Sequence, residues 1–353
     1  MKVLVTGATG IVGSNLVRAL LDASHQVRVL VRPSSDARGL SNLPVERCEG
    51  DILDLPSLCA AAKGRSLIFH AAAVFSYWGL SAEEQRDLAE RGTRNILEAA
   101  RKARSRRVIV TSSSVVLGSS ATGRVLDEES TADEPEPSAY TRSKMGQEAA
   151  AFSKGEELGV EVVAVCPTLV VGGFDYRLSP SNANIVNYLN DPLRSTFIGG
   201  CNIVSAQDVA AGHILAAERG RTGARYVLGS ENLKWPDAHG LISELTGTFG
   251  PALVLNHTAA YLAAAGAEAA ARLTGTRPLV TRDEARMSGR FYWYSHQRMA
   301  ELGYAPAPAR RALAEAIAWL WVRSYLSDAV MGRLELSAEV RAARARFARQ
   351  LAQ

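Results

Sequence analysis

The chain has only four cysteines in 353 residues, Cys48, Cys59, Cys166 and Cys201. No two stand in a Cys-x-x-Cys pair, and no ligand cluster lies near them in the sequence. That spacing argues against a disulfide framework or a metal site, and the four read as small buried hydrophobes of a reducing compartment. No apolar run reaches the length needed to span a bilayer. The alanine-rich stretch from Ala259 to Ala271 includes Glu268 and ends at Arg272, so it reads as a packed helix. The first apolar run is broken by Thr6 and Gly7, which suits a strand and not a secretory leader, so a cytoplasmic location is expected. The net charge is only +4 and owes much to scattered arginines, so no nucleic-acid partner is expected. Internal repeats and low-complexity tracts are lacking too. What remains is 47% hydrophobic and 22% charged, ordinary for a globular chain with a substantial core.

The densest information lies in the first sixteen residues. Val3 to Val5 read as a buried strand, Gly7, Gly10 and Gly13 follow at three-residue spacing, and Val12, Leu16 and Leu20 begin a helical stripe. Strand, glycine turn and helix start together describe a dinucleotide-binding unit. Gly7 can turn sharply out of the strand, Gly10 admits a pyrophosphate to the backbone, and Gly13 lets helix and strand pack closely. Thr9, Ile11 and Val12 complete the turn, where free N–H groups at the helix start attract phosphates.

Strand-like runs at 2–6, 26–31, 45–49, 66–71, 107–112, 160–165 and 225–228 alternate with helical runs near 11–23, 55–62, 83–103, 140–158 and 207–218. This alternation predicts an α/β protein, a Rossmann-type doubly wound parallel sheet with a smaller, mostly helical C-terminal substrate lobe. The expected divisions are a dinucleotide-binding core over 1–172, a substrate lobe over 173–325 that returns to the core at about 201–230, and an amphipathic basic helix over 326–353. Asp127 to Pro137 reads as an acidic surface loop. Tyr176 to Gly200, rich in Asn, Pro and Ser, reads as a substrate-covering loop too irregular for core. Residues 236–325 read mostly as helices closing over the sheet. From Leu334 onward, Leu336, Val340, Ala343, Phe347 and Leu351 form an apolar stripe among arginines, suited to docking on its own or a partner subunit. Contact with an acidic membrane surface is the alternative, without insertion.

Tyr140 and Lys144 lie four apart at the start of a helical run and so share a face. A free tyrosine is roughly 0.1% ionised at neutral pH, so poising it as a proton carrier takes on the order of 4 kcal/mol. A neighbouring ammonium can supply part of that. Thr111-Ser-Ser-Ser114 follows an apolar run and places hydroxyls at the carboxyl end of a strand, where open α/β sheets bind ligands. A serine there can orient a substrate carbonyl.

In this order and spacing, the glycine triplet, the strand-end serines and the Tyr-x-x-x-Lys pair resemble an extended short-chain dehydrogenase/reductase. The runs Val29-Leu-Val-Arg-Pro33, Glu49-Gly-Asp51, Gly92-Thr-Arg-Asn-Ile-Leu97 and Tyr140-Thr-Arg-Ser-Lys144 are similar to the branch of dihydroflavonol reductases, 3β-hydroxysteroid dehydrogenases and hopanoid-associated sugar epimerases. The similarity runs from Met1 to about Trp321. It implies Tyr140 as catalytic acid/base and Lys144 as the group that binds the nicotinamide ribose and lowers the tyrosine pKa. Counting back from Gly118, it implies Ser113 as the catalytic serine, with Ser114 as the alternative. Asp51 and Ile52 would contact the adenine, Ala71, Ala72 and Ala73 would line the cofactor channel, and the backbone from Pro167 to Val170 would face the nicotinamide. His70 is expected to be structural. Where relatives often carry Asn-Asn-Val before the Gly-Thr of the long helix, this chain has Leu88-Ala-Glu90 before Arg91, so an active-site amide is missing.

The expected activity is NADP-dependent reduction of a ketone or aldehyde, with a small carbonyl substrate that is flat or apolar and a homodimer as one possible assembly. A nucleotide-sugar epimerase or dehydratase with retained NAD(P), and a non-catalytic NADP-binding protein, are the alternatives. Cys166-Pro-Thr-Leu-Val-Val-Gly-Gly173 is nearer the reductase style than the sugar-processing one. Phe75, Tyr77, Trp78, Tyr176, Tyr188 and Phe197 are candidate pocket aromatics. NADP (NADPH) is expected ahead of NAD because the second strand ends at Arg32, with no acidic residue before Asp36 and with Ser34, Ser35 and Arg38 nearby.

Overall fold

A computed structural model describes residues 1–73, 81–131, 137–274, 282–285 and 288–352. Its central sheet is built from β1 (Lys2–Thr6), β2 (Gln26–Val31), β3 (Glu46–Glu49), β4 (Leu67–His70), β5 (Arg107–Thr111), β6 (Glu161–Pro167) and, after an excursion, β10 (Arg225–Leu228). All seven strands are parallel, in the order β10-β6-β5-β4-β1-β2-β3. The winding reverses between β1 and β4, and that switch point opens a crevice at the strands' carboxyl ends.

Alternation along β1 explains the layers. Val3 and Val5 face a core shared with α1 (Ile11–Asp22) and α6 (Ala206–Arg219). Leu4 faces the other way, into a core shared with α2 (Leu55–Ala62), α3 (Ala82–Ala103) and α4 (Ala139–Leu158). With apolar residues pointing both ways, the central strands are stable only when helices cover both faces. Burial of each such Leu or Val contributes roughly 1.5–3 kcal/mol. The Rossmann-type expectation is therefore met, strand by strand.

The second lobe differs from expectation in one respect. Tyr176 to Gly200 is not an irregular covering loop: it holds α5 (Pro180–Asn190), capped by Ser179 and started by Pro180. Its asparagine content misleads because Asn182 is buried and faces inward, where its Nδ2 donates to Gly172 O (2.9 Å) and Asp175 Oδ2 (3.0 Å). Tyr176 and Tyr188 are likewise core residues; Tyr176 packs on Trp319 and Tyr188 stacks on His239. Besides its helices, the lobe carries short strands. β7 (Leu169–Val171), β8 (Ser195–Phe197) and β9 (Gly200–Ser205) join β11 (Glu231–Lys234) and β12 (Leu253–Leu255) in two small sheets, β11-β9-β7 and β12-β8. The three-residue strands β7, β8 and β12 leave too short a pattern to read.

The C-terminal helix begins at Ala338, later than the stripe suggested, because Ser337 Oγ accepts Val340 N and starts it there. It docks on its own chain. Phe347 is fully buried against Phe174, Trp319 and the backbone of Gly173, where even a Cβ would collide with its ring. The same Gly173–Phe174 segment is tied to the first helix, since Asn15 Nδ2 donates to Gly173 O (2.9 Å) and Ser14 Oγ to Phe174 O (2.6 Å). Among the described residues, no helix is long and apolar enough to cross a membrane.

Candidate active site

The turn from β1 into α1 is shaped by close approaches. Gly7 has φ +73°, and a Cβ there would lie 2.5 Å from the backbone of Ala71 and Ala72. Gly13 abuts the Gly7 carbonyl, again leaving no room for a side chain. Gly10 is different: a Cβ would meet nothing nearer than Gly7 O at 3.6 Å. The space it leaves lies at a helix start that has neither a capping side chain nor an acidic residue in its first turn. Unpaired first-turn N–H groups and the helix dipole suit a pyrophosphate there, so these residues fit a dinucleotide. Gly7, Thr9, Gly10, Ile11 and Val12 all stay partly exposed on this turn.

The remaining candidates surround the same crevice. Asp51 and Ile52 follow β3, and both are partly exposed. Asp51 Oδ1 accepts Leu53 N (2.8 Å), and Asn95 Nδ2 of α3 holds Ile52 O (3.0 Å). Ala71, Ala72 and Ala73 continue β4 past Gly7 and grow more exposed along the way. Pro167 ends β6, and Val170 lies in β7 with its side chain in the core, so only backbone is offered to a ligand there. Arg32 stands exposed beyond β2, with no side-chain hydrogen bond or salt bridge among the described residues. Arg38, by contrast, is committed to Asp36 (Nη2 to Oδ2, 2.7 Å), and that pairing holds the Asp36 carboxyl down at about 2. Phe75, Tyr77 and Trp78 lie outside the described residues, and Phe197 is partly exposed.

The hydroxyls after β5 divide by direction. Thr111 Oγ1 turns to His213 Nε2 (2.8 Å), Ser112 is buried beside Cys166, and Ser114 is buried at the start of a single 3-10 turn. Ser113 is hydrogen-bonded to Tyr140. Tyr140 sits in the first turn of α4, positioned by Ser138, whose Oγ caps the helix by accepting Thr141 N (3.0 Å). Burial raises the Tyr140 phenol, and the Ser113 hydrogen bond opposes that rise. One turn on, the buried Lys144 Nζ donates to Thr111 O (2.9 Å) and Gln147 Oε1 (2.8 Å). Desolvation lowers this ammonium to about 8, while Cys166 and Glu148 act to raise it. His70 is enclosed between Thr6 Oγ1 (2.8 Å from Nδ1) and Thr93 Oγ1 (3.4 Å from Nε2). Burial and the Lys144 charge push it down to about 3, so it stays neutral and cannot serve as an acid near pH 7.

A serine, a tyrosine and a lysine thus meet at the carboxyl end of β5, across the switch point from a phosphate-ready glycine turn. Residues 3–229 match the model of the NAD dependent epimerase/dehydratase family. The chain belongs to that family. One relative is a putative dihydroflavonol 4-reductase of Synechocystis sp., 35% identical over 332 residues, covering 91% of this chain and 95% of the relative. A second is sterol demethylase protein B of Methylococcus capsulatus, 32% identical, covering 92% of this chain and all of the relative. Among solved structures, a nucleoside-diphosphate-sugar epimerase from Pseudomonas aeruginosa is 25% identical with a TM-score of 0.74, covering 93% of this chain and 99% of that one. The family's NAD(P)-dependent chemistry covers both reductases and epimerases.

Sequence reading passed over three contributors to this site. His213 orients Thr111 and is itself fixed by Val209 O (2.8 Å from Nδ1). Glu148, one turn beyond Lys144, is buried in a salt bridge with Arg225 of β10 (2.6 Å). Gln147 holds the lysine directly. Only the last two carried a signal, as polar residues at three and four positions from Lys144 on one helix face.

Proposed function

We propose that the protein is an NADPH-dependent reductase that converts the carbonyl of a small, flat or apolar ketone or aldehyde into an alcohol. The observation that carries this reading is the hydrogen-bonded Ser113–Tyr140 pair with the buried Lys144 ammonium one turn away. Bound NADPH would supply the hydride. Ser113 would orient the substrate oxygen, and Tyr140 would give that oxygen its proton. Lys144 would steady the phenolate left behind and bind the ribose. The phenol's raised pKa favours a group that keeps its proton until the substrate asks for it. Arg32 would pair with the 2′-phosphate, because Asp36 already occupies the other nearby guanidinium. The run Cys166 to Gly173 and the reductase name of a relative at 35% identity support reduction over epimerisation. A cytoplasmic location fits four cysteines that are all free.

The test is a panel of carbonyl compounds and nucleotide sugars, followed by the absorbance of reduced nicotinamide. The reading predicts NADPH consumed in proportion to alcohol formed, with the oxidised cofactor released each cycle. Protein that purifies with nicotinamide bound, and interconverts a nucleotide sugar with no net change in redox state, would establish the epimerase instead.

A further inference from the structure

Lys144 is enclosed more completely than its role as a cofactor ligand requires. Its ammonium has three N–H donors, and two of them are spent inside the protein, on the Thr111 carbonyl of β5 and on the Gln147 side chain of α4. Gln147 is 2% exposed, so its amide is not a surface group that happens to reach inward. The other titratable groups around Lys144 include Tyr140 one turn earlier on α4, His70 from β4, Cys166 from β6 and Glu148 from α4, with Arg225 of β10 holding Glu148. The amide oxygen of Gln147 is a side-chain acceptor fixed on this cation.

We propose that Gln147 is a positioning residue for Lys144: with the Thr111 carbonyl it takes two of the three ammonium protons and leaves the third for the cofactor ribose and the tyrosine side of the site. The role assigned to that third proton rests on the reductase reading, whereas the grip on Lys144 does not. An acceptor held against a buried cation favours the charged form, and hydrogen bonds to charged groups are among the stronger ones in proteins. Burial already lowers the Lys144 ammonium to about 8, so removal of this acceptor brings its loss of charge into the neutral range.

The chain has only six lysines, which makes direct titration of Lys144 practical. Cofactor-free protein labelled with 13C at lysine Cε would be titrated by NMR, with Lys144→Arg identifying the resonance. Gln147→Leu keeps an apolar body and removes the acceptor, and it should lower the Lys144 pKa by about one unit. Gln147→Glu keeps the acceptor and adds a negative charge, and it should move the pKa upward. If the leucine variant fails to fold, the upward shift in the glutamate variant carries the test. With substrate in hand, the alkaline limb of kcat/KM should follow the same two directions while the stability of the glutamate variant stays near wild type. Lys144 titrating alike in wild type and both variants would overturn the proposal. Opposite NMR shifts in a protein that oxidises no NADPH would leave Gln147 in place and remove the reductase reading alone.

Discussion

Replacing Tyr140 with phenylalanine is expected to lower turnover by about two orders of magnitude or more, the usual scale for a lost acid/base. The substitution removes one oxygen and keeps the ring, so the packing at the head of α4 survives. Ser138 still caps the helix through Thr141 N, and Lys144 still donates to Thr111 O and Gln147 Oε1. Only the hydroxyl that Ser113 contacts disappears. Affinity for NADPH should therefore change by no more than a few fold, and the loss should fall on kcat. Neither His70 nor Cys166 can replace the proton. His70 is neutral and sealed between two threonines, and Cys166 has its thiol raised well above the ordinary range by burial. Steady-state and single-turnover kinetics of the purified variant check this. Retention of more than about a tenth of wild-type turnover, with chemistry rate-limiting, would mean that Tyr140 is not the acid.

The second large effect concerns cofactor choice. Arg32→Ala should weaken NADPH binding at least about tenfold while leaving NADH within a few fold, because a charge-assisted hydrogen bond is worth roughly 1.5–3 kcal/mol. The physical basis is a difference between two arginines that look equivalent in the sequence. Arg38 spends its guanidinium on Asp36 through Nε and Nη2, whereas Arg32 has no such partner among the described residues. A planar guanidinium left open can grip a 2′-phosphate through two parallel bonds. NADH lacks that phosphate and loses only what stacking against the adenine contributes. Fluorescence titrations of both cofactors at fixed salt measure the two affinities. Equal losses for both, or a wild-type protein that prefers NADH, would rule out this role for Arg32.

The dinucleotide half was legible because its elements are repetitive and its constraints local. A strand such as Val108 to Val110 is buried on both faces and must be apolar throughout. The glycine turn is dictated by contacts within a few residues of itself, apart from those with Ala71 and Ala72. The second lobe was not legible for the opposite reason. Asn182 reads as loop because its polarity is visible and its partners, Gly172 and Asp175, are not. Tyr176 and Tyr188 read as pocket aromatics, yet Trp319 and His239, far along the chain, turn them into core. The same limit applied in the site itself. Four hydroxyls in a row, Thr111 to Ser114, are indistinguishable by type, and only the third dimension sends one to His213 and another to Tyr140. Gln147 carried only its spacing from Lys144 as a signal, because a buried amide on a helix has the same letter as a solvated one.

The central claim is that a hydride leaves the nicotinamide for a substrate carbon and stays there. NADPH deuterated at the transferable C4 position, mixed with a carbonyl substrate found in the panel, tests this in a single turnover. Mass spectrometry of the product should then show the deuterium on the new alcohol carbon, with oxidised cofactor free in solution. Deuterium remaining on the cofactor while a nucleotide sugar changes configuration would contradict the account.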